Sequence, residues 1–322
     1  MKLSFRSLAV AAITAAACVS VHAQQYPSKP VRFIIPFPPG GPTDIIGRMA
    51  ADILTKAYGV QFVADNRAGA GGNIGTETVA KAAPDGYTLS LVPSSHAIAP
   101  LFYARLPFDV FKDFTFITLV ASGPNIVVVN PSVPVKSIAE LVSLAKEKPG
   151  ELAFASAGVG SSTHLAGEYF NGVAGINALH VPYKGSSQAE ADVISGRVSY
   201  MVDSIPSALP KVQAGQVRAL ATTGKRRFAA LPNVPTVLEA GIPYESTSWW
   251  GVIGPANLPS TIVDKVAAEI TRIMRQDDVK EFIAGQGAEP TTSTPQEFFD
   301  LVKRDNALYA KIVKDANIRI EQ

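Results

Sequence analysis

The sequence predicts an α/β fold divided into two lobes, and three observations lead there. Short β-rich runs alternate with helical patterns along almost the whole chain, the signature of α/β units built on parallel sheets. About 300 residues follow a short apolar leader, enough for two domains of ordinary size. Two alternating series occur in succession, followed by a return strand and a helical tail, as when a chain crosses to a second lobe and comes back.

Residues 31–36, apolar apart from Arg32, read as a buried strand, broken by the proline- and glycine-rich residues 38–42. Ile45, Ile46, Met49, Ile53, Leu54 and Ala57 then share one helical face, and Gly59 ends that helix. Residues 61–64 and 87–92 are the next strands, with a short helix over 74–83 between them. The second series opens at 126–129. Ser137 is placed to cap a helix whose apolar positions are Ile138, Leu141, Val142 and Ala145, ended by Pro149-Gly150. Residues 152–155, 178–181, 198–202 and 217–221 read as strands, with helices over 163–170 and 189–194. Residues 249–253 form a further β run, and from Ile262 the pattern is helical, including residues 295–316. The crossings fall near 122–126 and 244–248. Lobe 1 is then discontinuous, residues 24–123 and 248–322, and lobe 2 is residues 124–247. A plain tandem of two domains is the alternative, since the last helices fit either lobe.

The first 23 residues read as a secretory signal peptide: Lys2 and Arg6, an apolar run, then Val21-His22-Ala23 with cleavage after Ala23. The run is shorter than the roughly 20 residues a membrane span needs. Cys18, the only cysteine, leaves with it, so the mature chain has no disulfide, reactive thiolate or cysteine metal site. Of 29 basic and 27 acidic residues the leader holds two basic ones, which leaves 27 of each and a formal charge of zero. Lys225-Arg226-Arg227 is the one basic run, far short of the stripe that nucleic-acid binding needs. With 47% hydrophobic but only 8% aromatic residues, the two cores are aliphatic.

Two strand-to-helix loops carry the candidate chemistry. In Phe37-Pro38-Pro39-Gly40-Gly41-Pro42-Thr43-Asp44 the glycines let backbone N–H groups approach a ligand, and Thr43 or Asp44 sits where a side chain caps the helix. A helix N-terminus suits an anion. Alone, this loop is more simply a tight turn. The equivalent loop of the second lobe, residues 156–164, adds the hydroxyls of Ser161, Ser162 and Thr163 to two glycines. Two helix N-termini facing each other across a cleft, at the carboxyl ends of strands, hold a carboxylate without an arginine. Asp203 and Ser204 also end a strand, where Asp203 accepts hydrogen bonds from a ligand or its waters, or caps the next helix. Ser94, Ser95 and His96 follow another strand and open on the cleft. His164 and His180 lack metal-ligand spacing and read as ordinary hydrogen-bonded histidines, so no metal is expected. Enzyme motifs fail: the glycines of residues 69–75 have the wrong spacing for a dinucleotide fingerprint, residues 160–164 lack the closing glycine of a nucleophile elbow, and Ser143-Leu144-Ala145-Lys146 lies in an amphipathic helix without partner motifs. No catalytic residue and no cofactor is expected.

Residues 37–44, Asp65-Asn-Arg-Ala-Gly-Ala-Gly-Gly-Asn-Ile-Gly75 and Ala83-Pro-Asp-Gly-Tyr-Thr-Leu89 resemble the tripartite tricarboxylate transporter substrate-binding proteins, the Bordetella uptake gene (Bug) receptors. Gly160-Ser-Ser-Thr-His-Leu165, Val181-Pro-Tyr-Lys-Gly185, Asp203-Ser-Ile-Pro-Ser-Ala208 and Leu231-Pro-Asn-Val-Pro-Thr-Val237 extend the resemblance, in family order, over essentially the mature chain. It implies a periplasmic-binding-protein (Venus-flytrap) fold closing on an organic acid. It implies contacts from Phe37, Gly40, Gly41 and Thr43, from Ser161, Ser162 and Thr163, and from Asp203 near the ligand and its waters. Ser94, His96, Tyr183 and Lys184 would form the variable, specificity-setting side, and Ala99 stands where the family often has Asn. The implied partners are a small carboxylate and the membrane subunits of a tripartite tricarboxylate transporter, with the receptor a monomer. A receptor serving a sensor is one alternative. A secreted hydrolase or isomerase is another, weakened by the absence of a nucleophile–base pair.

Overall fold

The computed structural model describes residues 26–315 and 318, so the leader and its cleavage after Ala23 lie outside the described residues. The strands are β1 (Val31–Ile35), β2 (Phe62–Asn66), β3 (Thr88–Pro93), β4 (Phe114–Val129), β5 (Ala153–Ser156), β6 (Leu179–Pro182), β7 (Tyr200–Ser204), β8 (Arg218–Thr222), β9 (Thr247–Pro255) and β10 (Glu289–Pro290). The helices are α1 (Pro42–Tyr58), α2 (Asn73–Ala80), α3 (Ser95–Phe102), α4 (Ile138–Glu147), α5 (Ser162–Ala174), α6 (Ser186–Ile194), α7 (Ile205–Gln213), α8 (Ser260–Met274), α9 (Asp277–Gly285) and α10 (Pro295–Asp315).

In one lobe β2, β1 and β3 are parallel, and β9 and then β4 follow antiparallel. In the other, β6, β5 and β7 are parallel, and the far half of β4 lies between β7 and β8. β4 therefore belongs to both lobes. Residues Phe114 to Pro124 pair with β9, and Asn125 to Val129 pair with β7 and β8. The return segment runs beside the outgoing one, with Ser122 opposite Trp249, Gly123 opposite Ser248 and Pro124 opposite Thr247.

Each lobe buries apolar side chains on both faces of its sheet, as parallel strands require. On one face of the first lobe, Ile46, Met49, Ala50 and Leu54 of α1 and Val263, Val266 and Ile270 of α8 cover Val31, Phe33, Leu89 and Leu91. Gly59, at φ 65°, ends α1 in the left-handed conformation that glycine adopts freely. On the other face Phe298 and Val302 of α10 meet Phe116 and Trp249, and a Cβ on Gly251 would lie 2.3 Å from the Phe298 ring. In the second lobe Ile138 and Leu141 of α4 and Phe170 of α5 pack on Val127, Phe154, Tyr200 and Val202. The Ser137 hydroxyl caps α4, accepting from Glu140 N–H at 3.2 Å.

Besides the two-residue β10, three elements escape the sequence reading. The first half of β4 is masked by Ser122-Gly123-Pro124, which reads as a break but is where the strand changes partners. In α3 almost every side chain is buried, so no polar face marks the period, and Pro100 sits within it. α7 likewise contains Pro206 and Pro210.

The Phe298 ring is fully buried between α10 and the sheet. Phe298→Ala should cost about 3–5 kcal/mol of unfolding free energy, measured by urea titration. A loss below 1 kcal/mol would mean that α10 is not anchored by this ring.

Candidate functional site

The loop between β1 and α1 is held from behind by Asp44. Its Oδ2 accepts from Gly40 N–H at 3.0 Å, and its Oδ1 accepts from Asn66 Nδ2 at 2.8 Å. Arg48 Nε stands 2.9 Å from Oδ1, one helical turn on. Burial alone would raise the Asp44 carboxyl, but the hydrogen bonds from Arg48, Asn66 and Gly40 outweigh it and hold it below the usual carboxylate range. Asn66 also donates to the Phe37 carbonyl at 2.9 Å, so both ends of the loop are tied to one side chain. Gly40 takes φ +83°, where an L side chain is strained. Thr43 turns inward, its hydroxyl accepting from Trp250 Nε1 at 3.3 Å.

The loop between β5 and α5 is organised by its own hydroxyls. Ser161 caps α5, accepting from His164 N–H at 3.2 Å, and Thr163 Oγ1 accepts from Ala157 N–H at 2.8 Å. The two hydroxyls are 3.1 Å apart, so one donates to the other. Ser162 lies between them and is less buried.

The two loops meet. Phe37, Gly41 and Thr43 from one lobe and Ala157, Ser161, Ser162 and Thr163 from the other enclose a cavity of about 20 Å³, room for a single water molecule. Pro93 and Ser186, which the sequence reading did not single out, complete it; Ser186 directly follows the Val181–Gly185 motif. No lysine, arginine or histidine lines it. The lobes are closed over it. Ser187 Oγ donates to the Pro39 carbonyl at 3.1 Å, Tyr103 OH donates to the Val159 carbonyl at 2.9 Å, and Phe102 meets the His164 ring edge-on at 5.0 Å.

The other sequence candidates stand around this cavity. Gly40 does not line it but fixes its loop through Asp44. Ser94 lines a larger chamber next door, together with Ser162. Asp203, fully buried, is one side chain behind: Ser186 lines the cavity and its hydroxyl donates to Asp203 Oδ1 at 3.4 Å. Burial, then the adjacent Glu190, push the Asp203 carboxyl well above its ordinary range, while Lys211 Nζ sits 2.9 Å from Glu190. Asp203 Oδ2 has no hydrogen-bond partner among the described residues. Tyr183 and Lys184 line a separate chamber with Phe37 and Gly71. His96 does not open on the cleft as expected. It is turned into the core against Phe114 and Phe116, donating from Nε2 to the Val110 carbonyl at 3.1 Å, because apolar contacts and a carbonyl satisfy a neutral imidazole there.

His164 and His180, distant in sequence, are stacked with ring centroids 4.0 Å apart and 15° between planes. With Glu168 they form a group whose ligand atoms lie within 4.8 Å of one another. The hydrogen bonds argue against a metal centre. Gly160 N–H donates to His164 Nδ1 at 3.2 Å, which puts the proton of the neutral ring on Nε2, the atom facing Glu168 Oε1 at 3.8 Å. Near-parallel rings also cannot both direct an in-plane lone pair at one ion. The group supports the loop instead. Ser156 Oγ, 2.7 Å from His180 Nε2, accepts from Gly158 N–H at 3.1 Å.

Two α/β lobes joined by paired crossing strands, with a strand-to-helix loop from each meeting across the cleft, define a clamshell receptor for a small solute. Comparison with known proteins gives the family. Residues 46–318 match the model of the tripartite tricarboxylate transporter family receptor. The fold is similar to that of a Rhodopseudomonas palustris protein solved with adipate, with a TM-score of 0.89, 36% identity, and coverage of 91% of this chain and 98% of that one. It is also similar to the periplasmic binding protein BugD, with a TM-score of 0.87, 31% identity, and coverage of 91% and 99%. A third similar structure is MatC from R. palustris with bound malate, with a TM-score of 0.85, 30% identity, and coverage of 89% and 100%. The chain belongs to the tripartite tricarboxylate transporter receptor family, whose members are solute-binding receptors, and its two-lobed fold is theirs.

Desolvation, with the neighbouring His180 adding to it, pulls His164 down to about 3; desolvation alone pulls His180 and His96 down to about 4. These values lie below the roughly 6.5 of a free imidazole, so as pH falls the unfolded chain takes up protons that the folded chain refuses. Stability contributed by these rings is full above about pH 6.5 and is lost as pH falls toward 4 and 3. The melting temperature should therefore drop from pH 7 to pH 4, and His180→Gln should flatten that slope. Parallel curves for the two proteins would show that the ring does not titrate as its burial requires. Separately, Ser161→Ala should cost about 1 kcal/mol of stability through the lost cap, read from denaturant midpoints.

Proposed function

We propose that this chain is a periplasmic receptor, exported by its cleaved leader, that captures one carboxylate of a small organic acid and delivers it to the membrane subunits of a tripartite tricarboxylate transporter. The observation that carries the reading is the meeting of two helix N-termini from opposite lobes around a cavity with hydroxyls, backbone amides and no cationic side chain. Unpaired N–H groups and the positive ends of two helix dipoles stabilise an anion there. Phe37, Gly40, Gly41 and Thr43 form one jaw and Ser161, Ser162 and Thr163 the other. Ser94 flanks them, and Asp203 orders the cleft from behind through Ser186. The similar proteins solved with adipate and malate support an organic acid as cargo.

In this reading residues 24–123 and 248–322 are one lobe and 124–247 the other, and they part by bending where β4 and β9 cross. Ligand bridges the jaws, and closure is favoured by the ligand's greater affinity for the closed state. The closed receptor is the form that docks on the transporter. No acid–base or nucleophilic step is involved.

A thermal-shift screen of C4–C6 dicarboxylates, aromatic acids and acidic amino acids tests this. Ligand at 100 times its Kd adds about 2.7 kcal/mol of stability, visible as a raised melting temperature. Stabilisation by the methyl esters but not by the free acids would overturn the carboxylate reading. Ser162→Ala should weaken binding of the best acid by about 1.5–3 kcal/mol, tenfold or more in Kd, with little change in the melting temperature of the free protein.

A further inference from the structure

Behind the clamp stands a buried acid pair, Asp203 and Glu190, separated from the cavity by a single serine. Ser186 opens on the cavity, and its hydroxyl reaches Asp203, which is fully buried at the end of β7. Two charged groups face Asp203, Glu190 from α6 and Lys211 from α7. β4 places Ile126 opposite it, and β5 carries no ionisable side chain. On the facing jaw Asp44 is paired with Arg48. One lysine cannot neutralise two buried carboxylates, and a buried charge left without a partner takes up a proton instead.

The hydrogen bonds distinguish the two acids. A hydroxyl bonded to a carboxylate lies close, at about 2.5–2.7 Å. Glu190 has such a bond: Ser207 Oγ donates to its Oε1 at 2.5 Å, and Lys211 Nζ stands 2.9 Å from its Oε2. Asp203 does not. Its Oδ1 accepts from Ser204 N–H at 2.8 Å, but Ser186 Oγ stays 3.4 Å away, and no donor among the described residues reaches Oδ2. An ionised Asp203 would leave a bare, buried oxygen beside a second negative charge. A proton on Oδ2, shared with Glu190, relieves both. Burial first, and then Glu190, push the Asp203 carboxyl in that same direction.

We infer that Asp203 is a neutral acid sharing its proton with Glu190, and that it is a positioning residue which leaves Ser186 free to turn its hydroxyl proton into the cavity and donate to the clamped carboxylate. An ionised Asp203 would hold that proton itself, present a Ser186 lone pair to the ligand, and set a negative charge one side chain behind an anion. The donor role of Ser186 rests on the clamp reading above; the proton on Asp203 does not.

Urea unfolding of the ligand-free mature protein at pH 5, 6, 7 and 8, with Asp203→Asn beside the wild type, tests the proton. Asparagine keeps the donor and acceptor of the neutral acid and cannot ionise. An acid that stays protonated in the fold but ionises in the unfolded chain makes the wild type lose stability as pH rises from about 4 toward the folded-state value. The wild-type unfolding constant should therefore climb relative to that of Asp203→Asn by at least tenfold between pH 5 and 7, while the effects of distant groups cancel in the ratio. A ratio constant from pH 5 to 8 shows an ionised Asp203 and overturns the inference. An Asp203→Asn protein that does not fold has lost a charge the fold requires and overturns it too. Calorimetric titration with succinate, adipate and benzoate at pH 7 tests the donor. Ser186→Ala should weaken the tightest of these acids about tenfold. An unchanged or lower Kd overturns the donor role and leaves the proton standing. If none of the three acids binds the wild type, the clamp reading falls and the donor role with it, while the urea comparison still decides the proton.

Discussion

The continuity of β4 from one lobe into the other is the constraint on which the rest of the structure depends. A strand that is hydrogen-bonded to β9 along its first part and to β7 and β8 along its last can bend only where the partners change. That place is fixed by Asn125. Its Nδ2 donates to Ser246 at 2.7 Å, its Oδ1 accepts from Ser248 at 2.8 Å, and its backbone exchanges hydrogen bonds with Thr223. Outgoing and returning segments are thereby tied at one buried point. Gly123 and Pro124 beside it contribute no cross-linking side chain.

On the proposed reading, the jaws form an anion site without a cation. Ion pairs near them are set back: Asp44 with Arg48 behind the first jaw, and Glu190 with Lys211 behind the second, beside an Asp203 carboxyl that burial pushes well above its ordinary range. A cationic side chain in the cavity would bind any anion, and its charge would repel the partner jaw's helix dipole. Amides and hydroxyls on pre-tied loops would instead, on that reading, ask for a carboxylate of the right width. The first loop is held by residues that do not line the cavity (Asp44, Asn66), whereas the second is held both by His164 behind it and by the cavity-lining hydroxyls of Ser161 and Thr163.

Much of this was legible in the chain. The β1 and α1 pattern, the Ser137 cap, the glycine stop at Gly59 and the hydroxyl-rich second loop are local signals, and local chemistry decides them. The stack of His164 on His180 was not legible, because it joins a helix to a neighbouring strand across 16 positions with no period to betray it. Nor was Ser186, whose place in the cavity depends on how α6 sits against the other lobe. His96 was misread for a related reason: a residue following a strand end points to the cleft or the core according to the helix turn it falls on, and α3 carries no polar face to show which.

By itself the sequence determined the alternation of strands and helices, the two anion-suited loops and the family signature, since each is written in consecutive residues. Tertiary structure alone decided which loops face each other, where β4 passes between lobes, and how large a chamber adjoins the clamp. Those properties belong to the packing of α5 and α10 across the cleft, a relation between segments more than a hundred residues apart that no local pattern records.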